Sequence, residues 1–163
     1  MNGGMELYLH MPFCVRKCAY CDFLSFPTDQ ETQNLYTRRL REDIDAMGKK
    51  YGDIPVDTIF IGGGTPSVPD SALIVGIMEH VRKAFHVAEG AEISMEANPG
   101  TVTREKLTDY RRAGINRLSF GLQSANDREL KLLGRIHTWA EFLESFHLAR
   151  ECGFTNINID LMS

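Results

Sequence analysis

Three of the four cysteines fall within eight residues: Cys14, Cys18 and Cys21, in the run CVRKCAYC. Thiolates are the soft ligands of zinc and of iron–sulfur clusters. A structural zinc site takes four ligands, commonly as two close pairs. Here there is a single triplet, so zinc would need His10 or water to complete it. Iron–sulfur clusters are also usually held by four cysteines. Three thiolates leave one iron open to a substrate or cofactor, as the open position does in catalytic zinc sites. The fourth cysteine, Cys152, is spaced from Phe142, Phe146 and Ala149 so that it joins the apolar face of a helix. That makes it a buried core thiol rather than a fourth ligand. Clustered thiols without a disulfide framework read as metal or redox chemistry in a reducing cytoplasm.

Such a loop needs a scaffold. Strand-like segments at Glu6–Met11, Asp57–Ile61, Glu92–Glu96, Arg117–Phe120 and Asn156–Leu161 alternate with helical periodicities. The first helix is predicted from Asp29 to Tyr51, with Tyr36, Leu40, Ile44 and Met47 as its apolar face and a Thr28–Glu31 capping box. The second runs from Asp70 to Phe85, with Leu73, Ile77, Val81 and Phe85 in one stripe. Thr103, Asn126 and Thr138 are N-caps, the last with Glu141 three residues on. Gly114 and Gly153 mark helix stops. The βαβαβαβαβ order implies an α/β fold with a parallel sheet and right-handed crossovers. A doubly wound sheet and a barrel of βα units both satisfy it.

The bulk properties narrow the function classes. At 163 residues the chain is one domain or part of one, and 43% hydrophobic with 25% charged residues excludes intrinsic disorder. No apolar run approaches the ~18 residues of a membrane span. The start, MNGGMELYLHMPFC, has neither the basic and apolar regions of a signal peptide nor the Arg-rich pattern of a transit peptide. Net charge is −4, against a duplex nucleic-acid partner.

In parallel α/β folds ligands bind beyond the carboxyl ends of the strands. The five segments there are HMPFCVRKCAYCDF, GGGTPS, MEANPG, SFGLQS and NIDLMS. All carry polar or backbone-permissive residues that a core does not require. GGGTPS lacks the last glycine of a dinucleotide fingerprint and the lysine of a P-loop. Gly62, Gly63 and Gly64 would let a ligand approach the backbone, with their N–H groups as an anion-friendly nest. Glu96 could pair with an ammonium group. His10 reads as a strand-end structural residue, His137 as a loop residue and Trp139 as packing.

CVRKCAYC after an N-terminal strand resembles the cluster motif of radical S-adenosylmethionine (SAM) proteins. There three cysteines hold a [4Fe-4S] cluster and SAM chelates the fourth iron. YLHMPFCVRKCAYCDF, IFIGGGTPS, MEANPG, RLSFGLQS, LLGRIHT and NIDLM together resemble the oxygen-independent coproporphyrinogen oxidase and HemW-type heme chaperone group, over residues 5–163. The resemblance implies a partial (β/α) barrel, of which residues 1–163 supply the N-terminal part of the radical SAM core, cut after the fifth strand. A sixth βα unit and a C-terminal region would lie outside it. It further implies that Cys14, Cys18 and Cys21 are the cluster ligands. Gly63, Gly64 and Thr65 would bind the methionine part of SAM and Glu96 its ammonium. Arg135 would face the SAM carboxylate and Asp160 the ribose hydroxyls. Gln123, Tyr8 and Tyr20 complete the set, Tyr20 mainly through its backbone. Heme would be the cargo, with heme-acceptor proteins and an electron donor as partners.

Two activities follow from that resemblance. One is heme binding and delivery. The other is the oxidative decarboxylation of coproporphyrinogen III, a dehydrogenase reaction in which a SAM-derived radical abstracts hydrogen from a propionate. The oxidase pattern carries a further cysteine two residues after the third; here that position is Phe23. Tyr20, before Cys21, also resembles the chaperone branch. Phe23 cannot supply a thiol and reads as an apolar wall over the cluster, so the chaperone is favoured.

Overall fold

The structure is a computed structural model that describes residues 4–162. Ser163 of the fifth motif and the first three residues of the N-terminal segment lie outside the described residues. The elements are β1 (Met5–Met11), α1 (Gln30–Tyr51), β2 (Val56–Gly63), α2 (Ser71–Ala84), β3 (Val87–Ala97), α3 (Arg104–Arg112), β4 (Arg117–Gln123), α4 (Asp127–Leu132), α5 (Trp139–Glu151) and β5 (Asn156–Leu161). The strands form one parallel sheet in the order β1-β2-β3-β4-β5. A doubly wound sheet would reverse direction at a switch point. Here every crossover steps the same way, so right-handed connections put the helices on one face. Accordingly α1 packs on α2, α2 on α3, and α3 on α5. This open sheet is the partial-barrel alternative.

Side-chain alternation divides the sheet chemically. Leu9 and Met11, Ile59 and Ile61, Ile93 and Met95, and Leu118 and Phe120 are buried against the helices, where Ile74, Ile77, Val81, Leu107, Tyr110 and Phe142 complete the core. The alternate positions include His10, Gly62, Glu96, Ser119, Gly121 and Asp160. Parallel sheets are usually apolar on both faces; this one keeps its second face polar.

The structure corrects several local expectations. Asp29, rather than Thr28, caps α1, accepting from the Thr32 amide at 2.8 Å, because Asp29 holds the extended conformation that a cap needs. Met47 is 54% exposed. The buried stripe passes from Ile44 to Gly48 instead, where a Cβ would meet that of Ala84 at 2.5 Å; glycine lets α1 close onto the end of α2. In α2, Leu73 is only half-buried and Ile74 takes the inner position. Phe85 is buried but extended, as the cap residue after α2. β3 begins at Val87, earlier than predicted. Thr103, Asn126 and Thr138 cap their helices, the last in a full capping box. Gly114 and Gly153 have φ of 91° and 90°, the left-handed geometry of helix stops.

Packing at the two methionines is expected to differ sharply. Met95→Ala should lose about 2–5 kcal/mol of unfolding free energy, since Met95 is fully buried. Met47→Ala should change it by no more than about 0.5 kcal/mol. Urea denaturation of both variants measures the contrast.

Candidate functional site

A cavity of about 440 Å³ opens at the carboxyl ends of the strands. Of the twelve residues singled out as cluster or SAM ligands, eleven line it: the three cysteines, Tyr20, Gly63, Gly64, Thr65, Glu96, Gln123, Arg135 and Asp160. Tyr8 is not among them. It is 58% exposed and stacks on Phe60 with centroids 6.1 Å apart. Its hydroxyl lies 3.4 Å from His10 Nδ1. His10 Nε2 lies 2.9 Å from the Leu24 carbonyl. A carbonyl only accepts, so Nε2 carries the proton and Nδ1 accepts from Tyr8. The pair props the far side of the cysteine loop, and His10 has the structural role expected of it.

The loop is clamped at its ends. Phe13 bridges to Phe26, with Phe26 N donating to Pro12 O at 2.9 Å and Cys14 N to Phe26 O at 3.2 Å. The glycine run is pressed against it: Gly64 N donates to Met11 O at 2.9 Å and Thr65 N to Phe13 O at 2.6 Å. A Cβ on Gly64 would lie 2.7 Å from both of those carbonyls. Gly63 has φ of 109°, and its N–H donates to Glu96 Oε2 at 2.9 Å. The anion nest expected here is therefore not formed. Three successive N–H groups are spent inside the protein, and the missing Cβ of Gly64 admits the cysteine loop rather than a ligand.

A polar chain crosses the cavity wall. Thr65 Oγ1 sits 3.6 Å from Cys14 Sγ and accepts from Asn98 Nδ2 at 2.9 Å. Asn98 Oδ1 accepts from Arg135 Nη2 at 2.8 Å. Arg135 Nη1 reaches Cys18 Sγ at 3.6 Å and the Tyr20 hydroxyl at 3.5 Å. On the opposite wall Asp160 accepts from Ser119 Oγ at 3.0 Å and Asn158 Nδ2 at 2.8 Å. Gln123 is the one non-glycine residue with positive φ, 74°, among the described residues, so the rim carries local backbone strain. Burial raises the Glu96 carboxyl above its ordinary range; the Gly63 N–H opposes this and Asp160 adds to it. Among the described residues no three His, Cys, Asp or Glu side chains converge on a point that one metal ion could occupy. The three cysteines line the cavity instead.

Residues 8–163 match the Radical SAM superfamily. The chain belongs to the radical SAM superfamily. Two curated relatives are the heme chaperone HemW of Escherichia coli, 43% identical over 97% of this chain and 42% of the relative, and that of Haemophilus influenzae, 40% identical over 97% and 43%. The chain thus spans less than half the length of either. Among solved structures, the coproporphyrinogen III oxidase HemN of Escherichia coli, described as a radical SAM enzyme, superposes with a TM-score of 0.90 at 32% identity, over 99% of this chain and 38% of that one.

Within this radical SAM fold, sequence reasoning missed Asn98, Ser119 and Gly121 as cavity residues. Ser119, Gly121 and Gln123 alternate along RLSFGLQS, so the period of two was the available signal. Cys152 does not line the cavity. It is half-buried at the end of α5, with Sγ 3.9 Å from the Arg104 carbonyl; a helix-terminal position leaves part of it in solvent, which corrects the expectation of full burial. His137 lies in the loop between α4 and α5, as expected. It is buried, with Nε2 3.2 Å from the Leu122 carbonyl and no partner on Nδ1. Trp139 stacks on Phe142 at 5.3 Å, as packing. Among the described residues no helix is long and apolar enough to cross a membrane.

Burial, reinforced by Arg135, lowers the His137 pKa from 6.5 to about 4. The unfolded chain therefore binds the proton more readily, and stability rises with pH in that window. The fold should hold its full His137 contribution above pH 6.5 and lose it as pH falls toward about 4. His137→Gln, whose amide can still donate to Leu122 O, should flatten this limb of a stability–pH profile measured by denaturant midpoints.

Proposed function

We propose that this chain is the cluster- and SAM-binding part of a HemW-type heme chaperone of the reducing cytoplasm. Cys14, Cys18 and Cys21 would hold a [4Fe-4S] cluster and the remaining cavity SAM, with heme as the cargo passed to acceptor proteins. The observation that carries this reading is the convergence of three thiols and eight further expected ligands on one cavity. The donor set fits the group. Three cysteines lining one cavity suit a multi-iron cluster better than one tetrahedral zinc, and N–H and O–H donors already face two of the sulfurs. When bound, the reduced cluster supplies one electron to SAM.

The chain's own residues then orient and shield. One Glu96 oxygen is held by Gly63 N–H, which leaves the other to accept from the SAM ammonium. Arg135 supplies positive charge for the carboxylate, and Asp160 supplies acceptors for ribose hydroxyls. Phe23 lines the cavity while 66% exposed. It places an apolar ring where the oxidase pattern has a thiol, limiting water near the sulfurs. This position ranks heme delivery above coproporphyrinogen dehydrogenation. The likeness to HemN favours the latter as the second reading, with an external electron donor in either case.

Cys14→Ala, Cys18→Ala and Cys21→Ala should each abolish reconstitution of the cluster, read as iron and sulfide per chain with the visible absorption of the anaerobic protein. Cys152→Ala should reconstitute like the wild type. Retention of the cluster in Cys14→Ala with its loss in Cys152→Ala would overturn the ligand assignment.

The full-length protein of which this chain is the cluster- and SAM-binding part should bind heme at about one per chain in an anaerobic titration. With SAM and a reductant it should form no protoporphyrinogen from coproporphyrinogen III. Catalytic product without heme binding would put the dehydrogenase first.

A further inference from the structure

Asn98 lies between two of the expected cluster ligands without touching either. Its orientation follows from hydrogen-bond valence. A guanidinium has donors only, so the group facing Arg135 Nη2 at 2.8 Å must be the amide oxygen. That leaves the amide nitrogen facing Thr65 Oγ1 at 2.9 Å. Thr65 is buried and its oxygen is now an acceptor. Its single proton is therefore free for Cys14 Sγ, 3.6 Å away. At the other end the same amide steadies Arg135, whose Nη1 points at Cys18 Sγ at 3.6 Å. The result is one continuous chain, Cys14–Thr65–Asn98–Arg135–Cys18.

The amide is itself immobilised. Asn98 N donates to Ser67 Oγ at 3.3 Å, and its carbonyl accepts from Thr101 N at 3.1 Å and Thr101 Oγ1 at 2.7 Å. Pro99 follows it and disfavours a helical alternative. Gly121 faces it from β4, where a Cβ would lie 2.9 Å from Asn98 Oδ1. Backbone and neighbours together allow this one placement.

We propose that Asn98 is a positioning residue that aims one hydrogen bond at each of the Cys14 and Cys18 thiolates and thereby raises the reduction potential of the cluster they hold. The inference rests on the cluster reading given above. Donors to cluster sulfur withdraw electron density and favour the reduced state. Asn98→Ala removes the group that directs the Thr65 hydroxyl and one of the two acceptors that hold Arg135 Nη2, the other being the Gly121 carbonyl. Asn98→Asp still accepts from Arg135, but it offers Thr65 an ionised acceptor that turns the hydroxyl proton away from Cys14.

The test is a redox titration of the anaerobically reconstituted protein, without SAM, followed by the electron paramagnetic resonance of the reduced cluster. Asn98→Ala and Thr65→Val should each shift the oxidised-to-reduced ratio at a fixed potential toward oxidised by about tenfold, which is about 59 mV for a one-electron couple. Asn98→Asp should shift the same way. Thr65→Ser, which keeps the hydroxyl, should titrate with the wild type. A wild-type potential in Asn98→Ala, or a Thr65→Ser shift as large as that of Thr65→Val, overturns the proposal. Should Asn98→Ala not fold, judged by circular dichroism, the two Thr65 variants decide it. A wild type that takes up no cluster overturns the underlying reading and the proposal with it.

Discussion

The contact on which the site depends is between two backbones. The cysteine loop and the turn after β2 approach so closely that Gly64 N–H meets the Met11 carbonyl and Thr65 N–H the Phe13 carbonyl. No side chain mediates this, and none would fit, because a Cβ on Gly64 would run into the same carbonyls. Through it the loop is joined to β1 and β2 before any metal is considered. Thr65 is thereby set beside Cys14, and the rest of the polar wall follows. A loop of exposed residues, which would otherwise pay ordering entropy on binding, is held by main-chain hydrogen bonds at its base.

The second constraint is the division of the sheet. One face gives up its apolar side chains to the helices and supplies the core. The other keeps Glu96, Ser119 and Asp160 on adjacent strands, with Glu96 opposite Ser119 and Gly121 opposite Asp160 in register. Singly wound topology makes this possible, since none of the described helices covers that face. The cavity is thus a product of strand order as much as of its lining residues.

Strand and helix existence was legible in the sequence because apolar periodicity alternates cleanly, and the caps at Thr103, Asn126 and Thr138 are chemically explicit. The cysteine triplet was legible from spacing. Most of the other expected ligands came through family resemblance, since a lone Glu or Arg at a strand end carries no such meaning. What escaped was set by tertiary contact. The exposure of Met47 depends on Gly48 meeting Ala84, and the burial of His137 depends on its bond to Leu122. The glycine run was rightly seen as a place of close approach, but the approaching partner is the protein's own loop. Asn98 was visible only as a neighbour of Glu96, because its partners lie 33 and 37 residues away.

Those separations bear on how the site comes into being during synthesis. Cys14 meets Thr65 51 residues later, and Cys18 meets Arg135 117 residues later. Contacts this distant form late, after loop-closure entropy has been overcome. Cys18 therefore cannot meet Arg135 until 117 further residues have been synthesised. For the interval in which β2 to α4 are being made, the cysteine loop stands without the polar wall that these elements supply. Until Arg135 has been made, Cys18 lacks the guanidinium that faces it in the finished fold.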